Sequence, residues 1–348
     1  MGPEQHVRIK PSGKIITVRP GESILDAALR AGLNLPHSCR GGSCMACRAR
    51  VLEGEVGYPT GRPLGLVTED EERGFALLCR AVPQGDVTIE TQEIVSTADI
   101  HIRRLPCRVQ EMRRLAHDVM ALELKLPTVE PFHFLPGQYV DLLLADGRRR
   151  SFSMANPPDE RNLLEIHVRR VSGGEFTDRV FTTLQRKDLL RLEGPLGGFF
   201  WREAGGSEAV LIAGGTGFAP LKAMLRQAFD SGDERLMHLY WGARARRDLY
   251  ELELIEAWAA QHPRLRFTPV LSEPAASDAW TGRTGLVHRA VLEDYPSLAA
   301  CDVYMSGPPD MIEAGRREFP ARGLDPARLF FDSFDFAPDV LARIRGHS

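Results

Sequence analysis

The sequence predicts a multidomain protein in which a small mixed α/β unit, an antiparallel β-barrel and an α/β unit with a parallel sheet follow one another. Three observations predict it: four cysteines gathered between Cys39 and Cys79, alternating segments from Leu105 to about Arg202, and a βαβα rhythm after Gly205. At 348 residues the chain has room for two to three domains, each with its own core. Hydrophobic residues make up 43% and charged residues 26%, as in ordinary globular chains. A net charge of −3 offers no electrostatic basis for binding nucleic acid or an anionic membrane. The start, Met1-Gly-Pro-Glu-Gln-His-Val, lacks the basic and apolar regions of a secretory leader, and no apolar run approaches the roughly 20 residues of a membrane span.

The first unit begins with two short alternating segments, His6–Lys10 and Lys14–Arg19. An amphipathic helix follows, with Ile24, Leu25, Ala28 and Leu29 at helical spacing and Gly32 as its stop. Next comes Cys39-Arg-Gly-Gly-Ser-Cys44-Met-Ala-Cys47, a C-x4-C-x2-C run. That is the spacing of a plant-type [2Fe–2S] ligand loop, with a fourth cysteine, here Cys79, expected further along. A short loop can wrap only one side of two bridged irons, so the last thiolate has to come from a separate segment. Gly41 and Gly42 allow a tight turn and bring N–H groups towards the sulfurs. Thr68-Glu-Asp-Glu71 reads as a capping box, which places Cys79 at the end of a short helix. The alternatives for these cysteines are a zinc site, which prefers paired C-x2-C units, or disulfides. Cys107 and Cys301 read as buried thiols, and the cysteine usage as a whole points to a reducing cytoplasm. With Val87–Glu90 as a closing strand, the order of elements is similar to the β-grasp ferredoxin fold.

Ser96–Arg104 has little hydrophobic period and serves as a linker between a domain of residues 1–95 and one of 105–203. The second domain is mostly strand: Val119–Leu126, Gln138–Leu144, Leu163–Val171 and Leu189–Glu193, with one helix at Glu175–Leu184. Several antiparallel strands joined by turns predict a small barrel. Arg150-Ser151-Phe152-Ser153 follows a strand and an Asp-Gly turn. There a guanidinium can clamp a phosphate, an aromatic can lie on a flat ring, and a hydroxyl can bond a ring heteroatom. Strand-edge polarity is the plainer reading of the same four residues. Gly173-Gly174-Glu175-Phe176-Thr177 opens the domain's helix, where bare N–H groups suit a pyrophosphate; an ordinary capped turn is the alternative.

The third domain, residues 204–348, alternates strands at Ala209–Ala213, His238–Trp241, Phe267–Leu271 and Val303–Met305 with helices near Leu221–Phe229, Leu249–Ala260 and Met311–Phe319. Alternation of this kind predicts a parallel sheet covered on both faces. Its first strand runs into Gly214-Gly215-Thr216-Gly217, with Pro220 near the first turn of the next helix. Ser306-Gly307-Pro308-Pro309 ends a later strand in the same way. Two glycine turns at strand ends of one sheet are what a dinucleotide in the crevice requires, although glycines also simply stop strands.

Taken in order, the cysteine loop, R-S-F-S, G-G-x-x-T, G-G-T-G-F-A-P and S-G-P-P-x-M resemble the ferredoxin–NADP reductase superfamily. The resemblance is to its three-domain members, which fuse ferredoxin, FAD and NAD(P) domains and serve oxygenases or act as CDP-6-deoxy-delta-3,4-glucoseen reductases. Tyr240-Trp-Gly-Ala-Arg-Ala-Arg-Arg-Asp-Leu-Tyr250 looks most like the glucoseen-reductase group. The resemblance implies a β-grasp ferredoxin domain, an antiparallel β-barrel flavin domain and an α/β Rossmann-like nucleotide domain. It implies Cys39, Cys44, Cys47 and Cys79 as cluster ligands. Arg150, Gly174 and Thr177 would hold the FAD pyrophosphate, with Ser151 also binding the cofactor, Phe152 packing on the isoalloxazine and Ser153 bonding near N5. Gly214, Gly215, Thr216 and Gly217 would cradle the nicotinamide dinucleotide, and Gly307, Pro308 and Pro309 would line the nicotinamide pocket.

Three positions depart from the family pattern: Phe152 stands for its usual Tyr, Ser306 for its usual Cys, and Asp332 for its usual Glu. With Ser153, Ser306 and Asp332 are the expected catalytic residues, and Phe334 or Phe336 would cover the flavin; a plain core role for these aromatics is the alternative. Nicotinamide yields two electrons as hydride while the cluster accepts one at a time, so a flavin has to stand between them. The expectation is a cytoplasmic NAD(P)H-dependent reductase, monomeric on its own, passing electrons to an oxygenase or dehydrase component. Arg244, Arg246 and Arg247 follow the second strand of the nucleotide domain and could favour NADPH, yet the same string occurs in relatives that resemble NADH users, and the reading leans to NADH. A redox sensor, supported only by Ser306, is the rival from another class. A free-flavin reductase needs neither cluster nor tightly held FAD.

Overall fold

The computed structural model describes residues 4–42, 45–91, 93, 100–128, 132–158, 162–202 and 207–334. It divides into two compact units, residues 1–103 with the short segment 194–198, and residues 104–193 with 199–334.

The first unit contains β1 (Gln5–Lys10), β2 (Ile15–Val18), α1 (Ile24–Arg30), β3 (Arg48–Glu53), β4 (Val56–Gly57), α2 (Thr68–Glu72), β5 (Phe75–Leu77), β6 (Val82–Pro83) and β7 (Val87–Glu90). Five strands form a mixed sheet in the order β2-β1-β7-β3-β5, with β1 and β7 parallel at its centre. Helix α1 starts where the Ser23 hydroxyl accepts the Asp26 N–H at 3.1 Å, a cap worth about 1 kcal/mol. It buries Ile24, Leu25, Ala27 and Ala28 against Val7, Ile9, Leu77 and Ile89. The expected capping box does not form: Val67 holds the N-cap position, and the Thr68 hydroxyl instead accepts from Arg62 at 3.2 Å. Cys79 follows the short strand β5, in a turn, and is not at a helix end, because Phe75–Leu77 pairs with β3 and buries Ala76 and Leu77.

The second unit opens with β8 (Arg103–Arg114), β9 (Val119–Lys125), β10 (Tyr139–Leu143), β11 (Arg149–Ser153), β12 (Leu163–Arg169), α3 (Glu175–Thr182) and β13 (Leu189–Leu196). These strands follow the order β11-β10-β13-β8-β9-β12. A bridge between Met154 and Ile166 joins the two edges and closes the barrel. Val109, Leu122, Leu124, Val140, Ile166 and Leu192 fill it, while α3 contributes Phe176 and Val180.

The unit continues with β14 (Glu208–Gly214), α4 (Phe218–Ser231), β15 (Leu236–Ala243), α5 (Leu252–Gln261), β16 (Leu265–Leu271), β17 (Arg283–Thr284), α6 (Val287–Asp294), β18 (Cys301–Gly307), α7 (Pro309–Glu318) and β19 (Leu329–Ser333). All six strands are parallel, in the order β17-β16-β15-β14-β18-β19. Side chains alternate along them as the pleat demands. Leu211, Leu239, Trp241 and Tyr304 pack on one face with Leu221 and Leu225 of α4. Val210, Ile212, Val303 and Met305 pack on the other with Val291 of α6 and Ile312 of α7. The chain leaves the central strand β14 towards β15 and later returns on its other side as β18, so the crevice at the carboxyl ends of these two strands is the ligand position of such a sheet.

Candidate active site

In the first unit, Cys47 and Cys79 are buried beside the apolar core and Cys39 is half-buried; Cys44 lies outside the described residues. The Gly41 N–H points to the Cys39 sulfur at 3.4 Å, the sulfur contact expected of this loop. Gly42 has φ +86°, and a Cβ there would fall 2.8 Å from Arg80 Cγ and 2.9 Å from Pro63 Cβ, so the turn requires glycine. Leu78 N–H bonds the Cys47 carbonyl at 3.1 Å, which sets the Cys79 turn beside the cysteine loop. The same turn is tied to the start of α1, where Ile24 N–H bonds the Ala81 carbonyl and Leu25 N–H that of Leu78. Arg40 completes the frame through a 2.5 Å ion pair to Asp26. The described thiols carry no disulfide, and a soft, partly buried thiolate set with an N–H on sulfur fits a [2Fe–2S] cluster.

On β11 the side chains alternate. Ser151 donates to Asp141 at 2.6 Å and Ser153 donates to Asp332 at 3.2 Å, while Phe152 is half-buried and tilts against Phe176 at 5.6 Å. Arg150 donates to the Arg149 carbonyl at 2.8 Å, and Arg149 pairs with Glu193 and Asp141. Burial alone would push the Glu193 carboxyl up, yet Arg149 and Arg104 hold it below the usual carboxylate range. Gly174 is the N-cap of α3. Thr177 folds back over it, donating to the carbonyls of Gly174 at 3.0 Å and Val171 at 3.2 Å. A Cβ on Gly174 would fall 2.6 Å from that hydroxyl. Thr177 thus shapes the loop that exposes the helix start.

Across the crevice, Asp332 on β19 lies in register with Ser306 on β18, and Ser333 with Gly307. Ser153, Asp332 and Ser306 are 6%, 5% and 0% exposed. The Ser306 hydroxyl has no hydrogen-bond partner among the described residues. An orphaned buried hydroxyl costs about 1–3 kcal/mol and marks a place shaped for something other than stability. Phe334 N–H bonds the Gly307 carbonyl at 2.8 Å and is half-buried there; Phe336 lies outside the described residues.

The glycines of the two turns serve close packing. A Cβ on Gly217 would fall 1.9 Å from the Ser306 carbonyl oxygen, one on Gly214 2.6 Å from Pro308, and one on Gly307 2.9 Å from the Gly214 Cα. Of these glycines Gly215 alone has room for a Cβ, which would meet only Arg169 at an ordinary 3.8 Å, though its φ is +55°. Thr216 stands beside it, half-buried, in the one-turn 3₁₀ segment Gly215–Gly217 that leads into α4. Pro308 and Pro309 are exposed at the start of α7, at its N-cap and N1 positions. A helix start approached through bare backbone fits a pyrophosphate. Sequence reasoning missed Arg169: its Nη1 pairs with Asp118 at 3.2 Å, while buried Nε and Nη2 have no partner among the described residues. A basic residue at the end of a barrel strand carries no local signal of the glycine loop that folding brings to it.

Three domains, each with the groups its cofactor needs, define an iron–sulfur flavoprotein reductase built from a cluster domain, a flavin barrel and a nucleotide sheet. Residues 7–84 match the family described as 2Fe-2S iron-sulfur cluster binding domain, residues 106–201 the oxidoreductase FAD-binding domain, and residues 211–317 the oxidoreductase NAD-binding domain. The chain is 37% identical to the CDP-6-deoxy-L-threo-D-glycero-4-hexulose-3-dehydrase reductase of Yersinia pestis, over 94% of this chain and 98% of that one. It is equally identical, with the same coverage, to the aromatic O-demethylase reductase subunit of an Amycolatopsis strain. Among solved structures, the Amycolatopsis cytochrome P450 reductase GcoB superposes with a TM-score of 0.79 at 36% identity, covering 95% of this chain and 98% of that one. The ferredoxin reductase in carbazole 1,9a-dioxygenase gives 0.74 at 26% identity, covering 96% and 99%. The chain therefore belongs to the three-domain ferredoxin–NADP reductase superfamily and is an NAD(P)H-dependent FAD/[2Fe–2S] oxidoreductase.

Proposed function

We propose that this reductase is the electron-supplying component of a two-part system, working in the cytoplasm as a monomer and delivering electrons to a metalloenzyme of the oxygenase or sugar-dehydrase type. The observation that carries the reading is correspondence over 98% of the dehydrase reductase and of the O-demethylase reductase subunit, both named as reductases of a further component. Bound flavin supplies the exchange between two-electron hydride and single electrons. This chain's residues do the rest. Gly215 and the start of α4 receive the nucleotide, with Arg169 beside them. Ser153 and Ser306 offer hydroxyls to the reacting rings, and Asp332 fixes the Ser153 rotamer by accepting its hydrogen bond. Arg150 and the α3 start take the flavin pyrophosphate, Phe152 and Phe334 supply apolar surface to its ring, and Cys39, Cys44, Cys47 and Cys79 hold the cluster.

The test is anaerobic stopped-flow absorbance with NADH and, separately, NADPH. Flavin bleaching followed by loss of cluster absorption is expected, faster with NADH. In Cys79→Ser the flavin step should survive and the cluster step disappear. No bleaching with either nucleotide would overturn the reading in favour of a sensor.

A further inference from the structure

One strand of the flavin barrel carries a buried polar cluster that the electron-transfer chemistry leaves unused. Glu165 and His167, two apart on β12, share a face. Lys222, on the first turns of α4, reaches both Glu165 Oε1 at 2.9 Å and Glu251 Oε1 at 2.8 Å. Its side chain is 5% exposed, and those of the two carboxylates 12% and 9%. His167 Nε2 contacts Glu165 Oε1 at 2.8 Å, and its Nδ1 lies 3.0 Å from the Tyr250 hydroxyl. Arg113 stands at the rim, 3.6 Å from Glu165. Burial opposes ionisation of Glu165, but His167 and Lys222 hold its carboxyl far below the usual range.

Glu165, His167 and Glu251 bring their ligand atoms close enough for a metal ion. The Lys222 ammonium already occupies that position between the two carboxylates, so the set is a closed ionic cluster. Buried ion pairs seldom add net stability over an apolar core of equal volume. Two chains of contacts lead from this one to the glycine loop. Along the first, Lys222 holds α4, whose first residue directly follows Gly217. Along the second, Tyr250 packs edge-on against Trp241 at 5.0 Å, Trp241 stacks on Phe218 at 4.2 Å, and the Trp241 indole N–H donates to the Gly215 carbonyl at 2.9 Å. At its other end the cluster is anchored beside the flavin site: the Glu165 carbonyl accepts the Ala155 N–H at 2.7 Å, two residues from Ser153.

We propose that Lys222, Glu165, Glu251, His167 and Tyr250 are positioning residues. They fix the Gly214–Gly217 loop against the barrel strand beside Ser153, and so set how the nicotinamide nucleotide meets the flavin. This rests on the reductase reading above. Misplacement of reacting groups by about 1 Å can cost on the order of 100-fold in rate.

The test uses the holoenzyme with two variants. Lys222→Met removes the shared cation, and Tyr250→Phe removes one hydroxyl while keeping the ring on Trp241. Calorimetric dissociation constants for NAD+ should rise roughly tenfold in each. Flavin reduction at saturating NADH should slow by a similar factor, with FAD content and the cluster spectrum unchanged, and Lys222→Arg should restore much of both. If Lys222→Met does not fold, Tyr250→Phe carries the test. Lower thermal stability with unchanged NAD+ affinity and unchanged saturating rate would overturn the proposal and leave a purely structural cluster. A wild-type protein that binds NAD+ but never reduces its flavin would refute the reductase reading instead, and the NAD+ affinities of the variants would still decide the positioning role.

Discussion

Replacing Gly217 by alanine isolates one methyl group at the most crowded point of the crevice. Its Cβ would lie 1.9 Å from the Ser306 carbonyl oxygen, 2.4 Å from the Ser306 carbonyl carbon and 2.8 Å from the Gly307 nitrogen. Ordinary carbon–oxygen contact is about 3.3 Å or more, so α4 and β18 have to part by more than 1 Å. No flexible side chain can absorb this, since all three neighbouring atoms are backbone in a fully buried strand. Overpacking costs typically 1–3 kcal/mol, and a rigid site belongs at the upper end, about 3 kcal/mol. At about 2–4 °C per kcal/mol for a unit of this size, the second unit should lose roughly 6–12 °C of melting temperature. Gly215→Ala is the control: its site is open, and only the left-handed φ of +55° is strained, for about 1–2 kcal/mol. The assay is thermal unfolding followed by tryptophan fluorescence, with NAD+ affinity measured alongside. Gly217→Ala melting with or above Gly215→Ala, with nucleotide affinity intact, would refute the claim that this glycine exists for contact between strand end and helix.

Two further outcomes follow from buried polar groups. Ser306→Ala removes a hydroxyl with no partner among the described residues, so the protein should be unchanged or about 1 kcal/mol more stable in urea while flavin reduction slows; a clear loss of stability would mean that the hydroxyl has a partner. His238 is pushed down to about 4 by burial, between Tyr295 at 3.1 Å and Thr268 at 2.9 Å. The unfolded chain takes up a proton near pH 6.5 and the folded chain only near 4, so stability should fall as pH drops through that window, by at most about 3 kcal/mol. Urea midpoints at pH 7 and pH 4.5 should differ less in His238→Gln than in wild type.

The domain order and most regular elements were legible because their cues are local. Strand alternation, the run of apolar residues in α1, and glycines after β14 and β18 all act within a few residues. Elements whose reason is tertiary were not legible. Thr68 looked like a cap, but Arg62 claims its hydroxyl. Strand β19, where the sequence offered only Asp332 and Phe334 as site residues, becomes a strand because β18 offers it a parallel edge. The short helix α6 carries Val287, Val291 and Leu292 towards the sheet face, yet it is too brief for its period to stand out.

The residues proposed as catalytic show the same division at finer grain. Sequence motifs brought Ser153, Ser306 and Asp332 forward as three separate strings, and the register of β18 with β19, together with the Ser153–Asp332 bond, brings them side by side. The glycines were legible as glycines, but not what each one is for. A motif gives the absence of a Cβ without saying whether a ligand or a neighbouring strand fills the space. Gly214, Gly217 and Gly307 are needed because two strand ends and a helix start meet there, which leaves Gly215 as the open position of the loop. Close packing of the first three is what holds the fourth in place. A substitution at Gly217 should therefore damage nucleotide binding without the nucleotide ever touching it.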